Sequence, residues 1–597
     1  VEGEGKFENL GVPVKKPQYN GYVITQDSSG NEIIYFCFSQ WGAPLFLIQV
    51  NPDTGEMRQI NVKDPCPNRG CAFAKSILIG PDGKIYIGTA PGGFILCFDP
   101  KNPDNGIRVL GKPSETETYI FSLCVGKDGK IYGGTYGNAK LISYDPATGK
   151  MEDFGRMDET QMYSQTVVSG DDGLIYVGIG TAKANIVAFD PKTKRHWSIL
   201  PENLRLEGKS GIVMKGKDGK VYGAVGNYYF TIENAQVRMI SPKDYPGLLP
   251  QTLRDGRKIS FDRESYSYII NGLEGKVKRK FEYECAGSMV FVIGVGPEGK
   301  IYGSSALPLE LFVYDPESGE LEDLGNPTSV DGEIYSMVAL HGKLYVCAYP
   351  GAWLSVYDPK KPWKYGTSKD SNPRGIGYVG DGHLRPRAMI VGPDDKIFIG
   401  SMPPYGELGG AMAVYDANKD AIVENYRHLI PNQSIVSLAY EPKSCLIFGG
   451  SSIFGGGGTR PVEKDAHLFA WDPNKKEKVI DIIPVRGDSA IVSMTVADGK
   501  VFASSSGSNS LIVYDPQEER IVHVEKIPFG RPLDISLAAH SDGFIYGIAG
   551  RTIFRVDVET FKISKVAEYN GEISCGFALT DTGIYFGSGV YLIRYKM

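Results

Sequence analysis

The residues best equipped for chemistry crowd into one stretch of this 597-residue sequence. His383, Arg385 and Arg387 stand in "DGHLRPRAM", Tyr405 and Glu407 in "SMPPYGELGGAM", and Arg460, Glu463, Lys464 and His467 in "GGSSIFGGGGTRPVEKDAH". An arginine that neutralises a uronate carboxylate, with a tyrosine or histidine to remove the neighbouring proton, meets the needs of β-elimination. On that reading Arg385 or Arg387 holds the carboxylate and His383, His467 or Tyr405 is the base. Glu407, Arg460, Glu463, Lys464, Trp353 and Tyr335 then contact the substrate. Glu407 and Glu463 would instead supply the paired carboxylates of a glycoside hydrolase. The alternative from a different class is a non-catalytic propeller face that binds glycan or protein.

The elements that must position these residues are written in a repeat. "GPDGKIYIGTAPGGFILCFDP" (80–100), "GKDGKIYGGTYGNAKLISYDP" (126–146) and "ADGKVFASSSGSNSLIVYDP" (497–516) share a turn, a strand, a variable loop and a strand. The acidic residue of the first turn and the Asp of Asp-Pro lie seventeen residues apart in such copies. Gly in the turn accepts positive φ, the flanking runs alternate β-branched and aromatic residues, and Asp-Pro opens a second hairpin. The unit is a four-stranded antiparallel meander, its strands here called A to D in chain order. About thirteen copies are present, with a degenerate one near residue 250.

So many meanders predict an all-β chain of β-propellers, in more rings than one because propellers hold four to eight blades. "GKFENLG" (5–11) matches a D strand, and the last copy lacks one, so the N-terminal strand is expected to close the C-terminal blade. The expected partition is 1–285 plus 573–597 for a first propeller and 286–572 for a second. The A–B and C–D turns share one face, while the B–C and D–A connections share the other. In the copy near 384 the seventeen-residue spacing grows to twenty-two, the next B–C loop swells to 449–467, and the D–A connection is read as a long segment over 364–389. These enlargements put the chemical residues on neighbouring blades of one face, where a rigid scaffold carries function. The Gly-rich run 455–458 would let backbone approach a ligand. Tyr119, Tyr163, Gln165, Tyr335, Arg531 and Asp534 recur on D–A connections of other copies, and Trp41 and Trp353 stand in B–C loops, each placed to stack on a sugar or to pack against the next blade.

Composition narrows the partners. The formal charge of −6 argues against nucleic acid, and no apolar run is long enough for a membrane helix. A carbohydrate ligand is expected; the oligomeric state is not legible. No cofactor is predicted: His383 and His467 with Glu407 or Glu463 are metal-ligand types, but their spacing follows no metal-site pattern. Most of the nine cysteines, among them Cys37, Cys97, Cys347 and Cys445, read as small buried hydrophobes. Cys66 and Cys71 are near enough for a disulfide or a metal. This usage leans towards a reducing cytoplasm, with a secreted or periplasmic location as the alternative if a leader has been removed; "VEGEGKFENLG" itself has no leader-like apolar stretch.

The "DGKIYxGT…LxxYDPxTGxxxxLG" grammar resembles uncharacterised bacterial β-propeller repeat proteins, of the quinoprotein-like or WD40-like class, associated with polysaccharide utilisation. The resemblance spans essentially the whole chain and implies blades and a carbohydrate-related role. It assigns no individual residue.

Overall fold

Local hydrogen bonding explains why the repeat is spelled as it is. In "DGKIY" the Asp accepts from the Tyr hydroxyl four residues on: Tyr86 to Asp82 at 2.9 Å, Tyr132 to Asp128 at 2.8 Å, Tyr176 to Asp172 at 2.5 Å and Tyr546 to Asp542 at 2.8 Å. The intervening Gly takes the left-handed conformation, as at Gly83 with φ 77°. In "DPATG" Asp145 accepts from the Ala147 backbone at 2.9 Å and the Thr148 hydroxyl at 2.8 Å, folding the second turn.

The computed structural model describes residues 6–246, 251–272 and 275–597. Residues 1–5 and 247–250, which enter the expected first propeller and the expected start of the degenerate copy, lie outside the described residues. Among the described residues are eight separate four-stranded sheets, two eight-stranded sheets that are each two meanders joined at one bridge, and one three-stranded sheet. Thirteen meanders result, all antiparallel. The three-stranded one, Lys258–Asp262, Ser267–Gly272 and Gly275–Lys280, is the copy read as degenerate.

The chain divides into two compact units, Pro17–Ala286 and Gly287–Met597 with Val1–Lys16. The N-terminal strand Phe7–Gly11 pairs with Tyr591–Lys596, Phe7 opposite Tyr595, as its spelling suggests. The expected partition of the ends needs correction, however. The last meander belongs with 287–572 and not with the first half. Its Ala578, Tyr585 and Leu592 share a core with Val290, Ile301 and Phe312, and its Phe577 and Ile584 share another with Tyr546 and Ile553.

In the larger unit each meander buries one face against the next. Leu311 packs with Leu344, Leu354 with Ile399, Met412 with Ile447, Leu468 with Ile512, and Leu511 with Phe554. The A strands of its seven meanders all contribute to one cavity of about 230 Å³ lined by Val292, Met337, Ala388, Leu438, Met494, Leu537 and Phe577 among others. In Pro17–Ala286 the same face-to-face packing joins 32–60 to 74–107, 86–95 to 120–144, 132–141 to 167–189 and 176–188 to 213–232, and Phe36 and Ile48 pack on Tyr268 and Phe281.

One loop sits elsewhere than its length suggests. The segment 364–389 is not a D–A connection. Arg374–Tyr378 is the D strand, pairing with Trp353–Tyr357, so the extra chain lies in an enlarged C–D turn over 358–373. A sequence rich in Gly, Ser and Pro carries no strand pattern of its own, and only pairing identifies its end.

Cys66 and Cys71 form a disulfide. Cys37 and Cys347 are buried, but Cys445 is exposed in a turn with φ 57°, contrary to the expectation for that residue. Among the described residues no helix is long and apolar enough to cross a membrane.

Candidate functional site

Strand A of each meander enters from the face that carries the B–C loops, so the first residues of neighbouring A strands converge there. In the larger unit this brings Tyr335, Arg387, Arg531 and Asp534 to the wall of a cavity of about 440 Å³, with Phe291 and Ser574 beside them. A second cavity of about 160 Å³, lined by Met402, Phe454 and Val492, has Arg387, Arg531 and Asp534 as its shared wall with the first.

That wall is an ion group. Arg387 hydrogen-bonds Asp534 from strand Arg385–Val391 to strand Pro532–Ala539, two A strands that are not neighbours in the succession. Arg531 stands 3.7 Å from the same carboxylate. Two guanidiniums share one acid, leaving the wall net positive. The Arg387 guanidinium also lies over the Tyr335 ring, 5.7 Å from its centroid, and that ring meets Phe291 edge-on at 4.9 Å.

Behind the wall, Arg385 is held by tyrosines. Its Nη2 donates to the Tyr405 hydroxyl at 2.8 Å, and its guanidinium lies 4.8 Å from the Tyr349 ring centroid and 5.0 Å from that of Tyr405. The two phenol oxygens are 2.9 Å apart. Burial works against the Arg385 charge, but the surrounding tyrosine oxygens outweigh it, and the group remains a cation. Burial pushes the Tyr335 and Tyr349 hydroxyls up from the ordinary phenol value, so both are proton donors near neutrality.

The other residues singled out from the sequence are not drawn into this wall. His383 is only 4 % exposed, with Nδ1 2.6 Å from Ser401 Oγ and Nε2 2.9 Å from Asn425 Oδ1. Burial pulls its imidazole down to about 4, so it is neutral and both its nitrogens are engaged. His467 Nδ1 is 2.5 Å from Asp481 on the outermost strand of its meander. Glu407 pairs with Arg427 at 3.2 Å, and Glu463 accepts from Asn432 at 2.9 Å. Arg460 and Lys464 are exposed on the 449–467 loop and line none of the cavities described above. Trp353 belongs to the core, its ring perpendicular to Tyr378 at 4.9 Å.

The Gly-rich run serves another loop. Gly456 N donates to Glu407 O at 2.9 Å and Gly406 N to Gly457 O at 3.0 Å, and a Cβ on Gly456 would fall 1.7 Å from Pro404 O. The glycines let the two enlarged B–C loops lie backbone to backbone. Among the described residues no group of three or more His, Cys, Asp and Glu side chains is placed to hold a metal.

Sequence reasoning brought Arg385, Arg387 and Tyr405 into one neighbourhood and noted Tyr335, Arg531 and Asp534 separately, on the D–A connections of other copies. It missed Tyr349 and Phe291. Tyr349 had a signal in "CAYPGAW", where an aromatic starts a B–C loop; Phe291 had none, standing inside the wholly apolar A strand "MVFVIGV".

No protein-family model and no curated protein matches the chain. Among solved structures, the extracellular domain of the one component system BT4673 from B. thetaiotaomicron is similar at 12% identity over 99% of this chain and 82% of that one, with a TM-score of 0.38. The extracellular domain of the hybrid two component system BT3049 from the same organism is similar at 14% identity over 98% and 76%, with a TM-score of 0.36.

Proposed function

We propose that Gly287–Met597 with the N-terminal strand is a seven-bladed β-propeller whose mouth binds an acidic carbohydrate without cleaving it, and that Pro17–Ala286 is a six-bladed one. The observation that carries the reading is the wall of Arg387 and Arg531 on a single carboxylate, beside the Tyr335 and Phe291 rings, in a cavity of about 440 Å³. A guanidinium fork recognises a uronate carboxylate, an aromatic face packs on a sugar ring, and the volume lies within the range of small-ligand sites. The Cys66–Cys71 disulfide favours an oxidising compartment over the cytoplasm expected from the other cysteines.

A lyase is the second reading, favoured by one contact. Arg385 donates to the Tyr405 hydroxyl, which sets a cation beside a residue expected to act as base. Neither residue lines the three cavities, so substrate would have to displace the Tyr349–Tyr405 contact to reach it.

Calorimetric titration with di- and trigalacturonate, alongside neutral cellobiose, tests binding, and ultraviolet absorbance of unsaturated uronate tests cleavage in the same samples. Saturable binding of the acidic sugars alone, weakened at least about tenfold in Arg387→Ala, with no absorbance rise, is the expected result. An absorbance rise lost in Tyr405→Phe would replace the binding reading with the lyase. Equal affinity for cellobiose would remove the basis for either.

A further inference from the structure

The enlarged C–D turn over 358–373 builds a second recess, of about 200 Å³, on the opposite edge of its meander from the B–C loops. Its floor is Tyr345 and Tyr415, whose rings lie 5.8 Å apart. The turn is fixed by Asn372, 6 % exposed, whose side chain accepts from Asp358 N at 2.8 Å and donates to the carbonyls of Asp358, Lys361 and Pro362 at 2.9 to 3.2 Å. Lys364 and Gly366 bridge to Asn372 and Arg374. So firmly held a loop presents its side chains in a defined arrangement.

Those side chains are predominantly cationic. Lys343, Lys361, Lys369 and Arg374 line the recess against Asp358 and Asp420, four positive charges to two negative. Arg374 is matched by Asp420 at 2.6 Å, which also accepts from the Tyr415 hydroxyl at 2.6 Å, and Lys361 stands 3.8 Å from Asp358. Lys343 and Lys369 have no carboxylate within ion-pair distance among the described residues. A chain with net charge −6 thus concentrates two ammonium groups that form no close ion pair around a polar recess that a dedicated insertion creates, Lys369 being near enough to Asp420 to help lower its carboxyl.

We propose that this recess binds a doubly charged tetrahedral oxoanion, the phosphate monoester of a small hydrated molecule. Two charges match the two surplus lysines, and mobile ammonium groups suit a compact polyanion, whereas flat bidentate pairing would call for a free guanidinium. The half-buried Ser371 hydroxyl beside the lysines supplies a polar contact for a sugar-like remainder. The site is independent of the mouth, being formed by different strand ends.

The test is titration of the whole chain with inorganic phosphate, inorganic sulfate, glucose 6-phosphate and, as a singly charged control, glucuronate. The lysine variant is Lys343→Ala/Lys369→Ala, both exposed positions, and Arg387→Ala is the control for the mouth. Expected are saturable binding of the dianions, a loss of at least about tenfold in the lysine variant, retention in Arg387→Ala, and affinity that falls with salt. Tighter binding of glucose 6-phosphate than of phosphate would assign an ester ligand, and equal binding the free anion. Absence of saturable dianion binding at millimolar concentration, or binding unchanged by the lysine substitutions, would overturn the proposal, as would glucuronate binding as tightly as phosphate at this recess.

Discussion

A histidine two residues from an arginine invites a proton-transfer role, yet the Ser401 and Asn425 contacts of His383 make it a buried connector. The stability consequence has a definite sign. Its imidazole titrates near 4 when folded against 6.5 when free, so the unfolded chain binds the proton more tightly in between. The stability it contributes is complete above 6.5 and is lost as pH falls to 4, by roughly 3 kcal/mol over the window at 1.36 kcal/mol per unit. Denaturant unfolding of wild type and His383→Gln at neutral pH and near pH 4.5 checks this: the variant should be less stable at neutrality and less sensitive to acid. An unchanged acid dependence would mean that the imidazole is solvated. Arg387 shows the converse. Its residue type was legible, but its meaning depends on Asp534, 147 positions away.

At the scale of elements, loop length proved easier to read than loop placement. The B–C enlargements over 402–410 and 449–467 lie where the fixed spacing puts them, because continuous apolar strands, buried on both faces, bracket both. The 358–373 segment moved to the other face because its D strand, "RGIGY", has glycine at two of its five positions and is too weakly patterned to be told from loop. Asn372 anchors that turn with four hydrogen bonds. Removing it leaves several buried backbone groups without partners, so Asn372→Ala should cost about 2 kcal/mol in urea unfolding. It should also weaken phosphate binding at the recess while sparing the mouth; a neutral substitution would show that the turn is held by other contacts.

For the whole molecule, the pairing of Phe7–Gly11 with Tyr591–Lys596 ties the first residues to the last. The Phe7 ring packs at 5.1 Å from Tyr595 and 5.2 Å from Tyr569, and Glu8 hydrogen-bonds Arg594. A fragment of 287–597 alone exposes the edge of Tyr591–Lys596, an invitation to association between chains. Its melting temperature should fall by on the order of 5–10 °C relative to the same fragment with residues 1–16 appended after Met597 through a flexible linker. Light scattering on heating should likewise be higher without the strand. Equal melting and scattering would show that the strand adds no stability to the larger unit.

Sequence by itself determined the meander, its turns and the number of its copies, because each rests on contacts within a few residues: an Asp accepting from a Tyr four positions on, a glycine at positive φ, an alternation of faces. It also determined that the first strand completes the last sheet, since one copy lacked what the N-terminus supplied. Only the tertiary structure decided which copies share a core, and so where one unit ends. Thirteen meanders with one grammar have interchangeable faces, and nothing local distinguishes the neighbour 578 will find at 290 from one it could have found elsewhere. The same holds for the mouth. The charge on Arg387 and Arg531 is a property of the residues, but their sharing of Asp534 is created when non-adjacent strands converge, and that convergence is set by the packing of whole sheets.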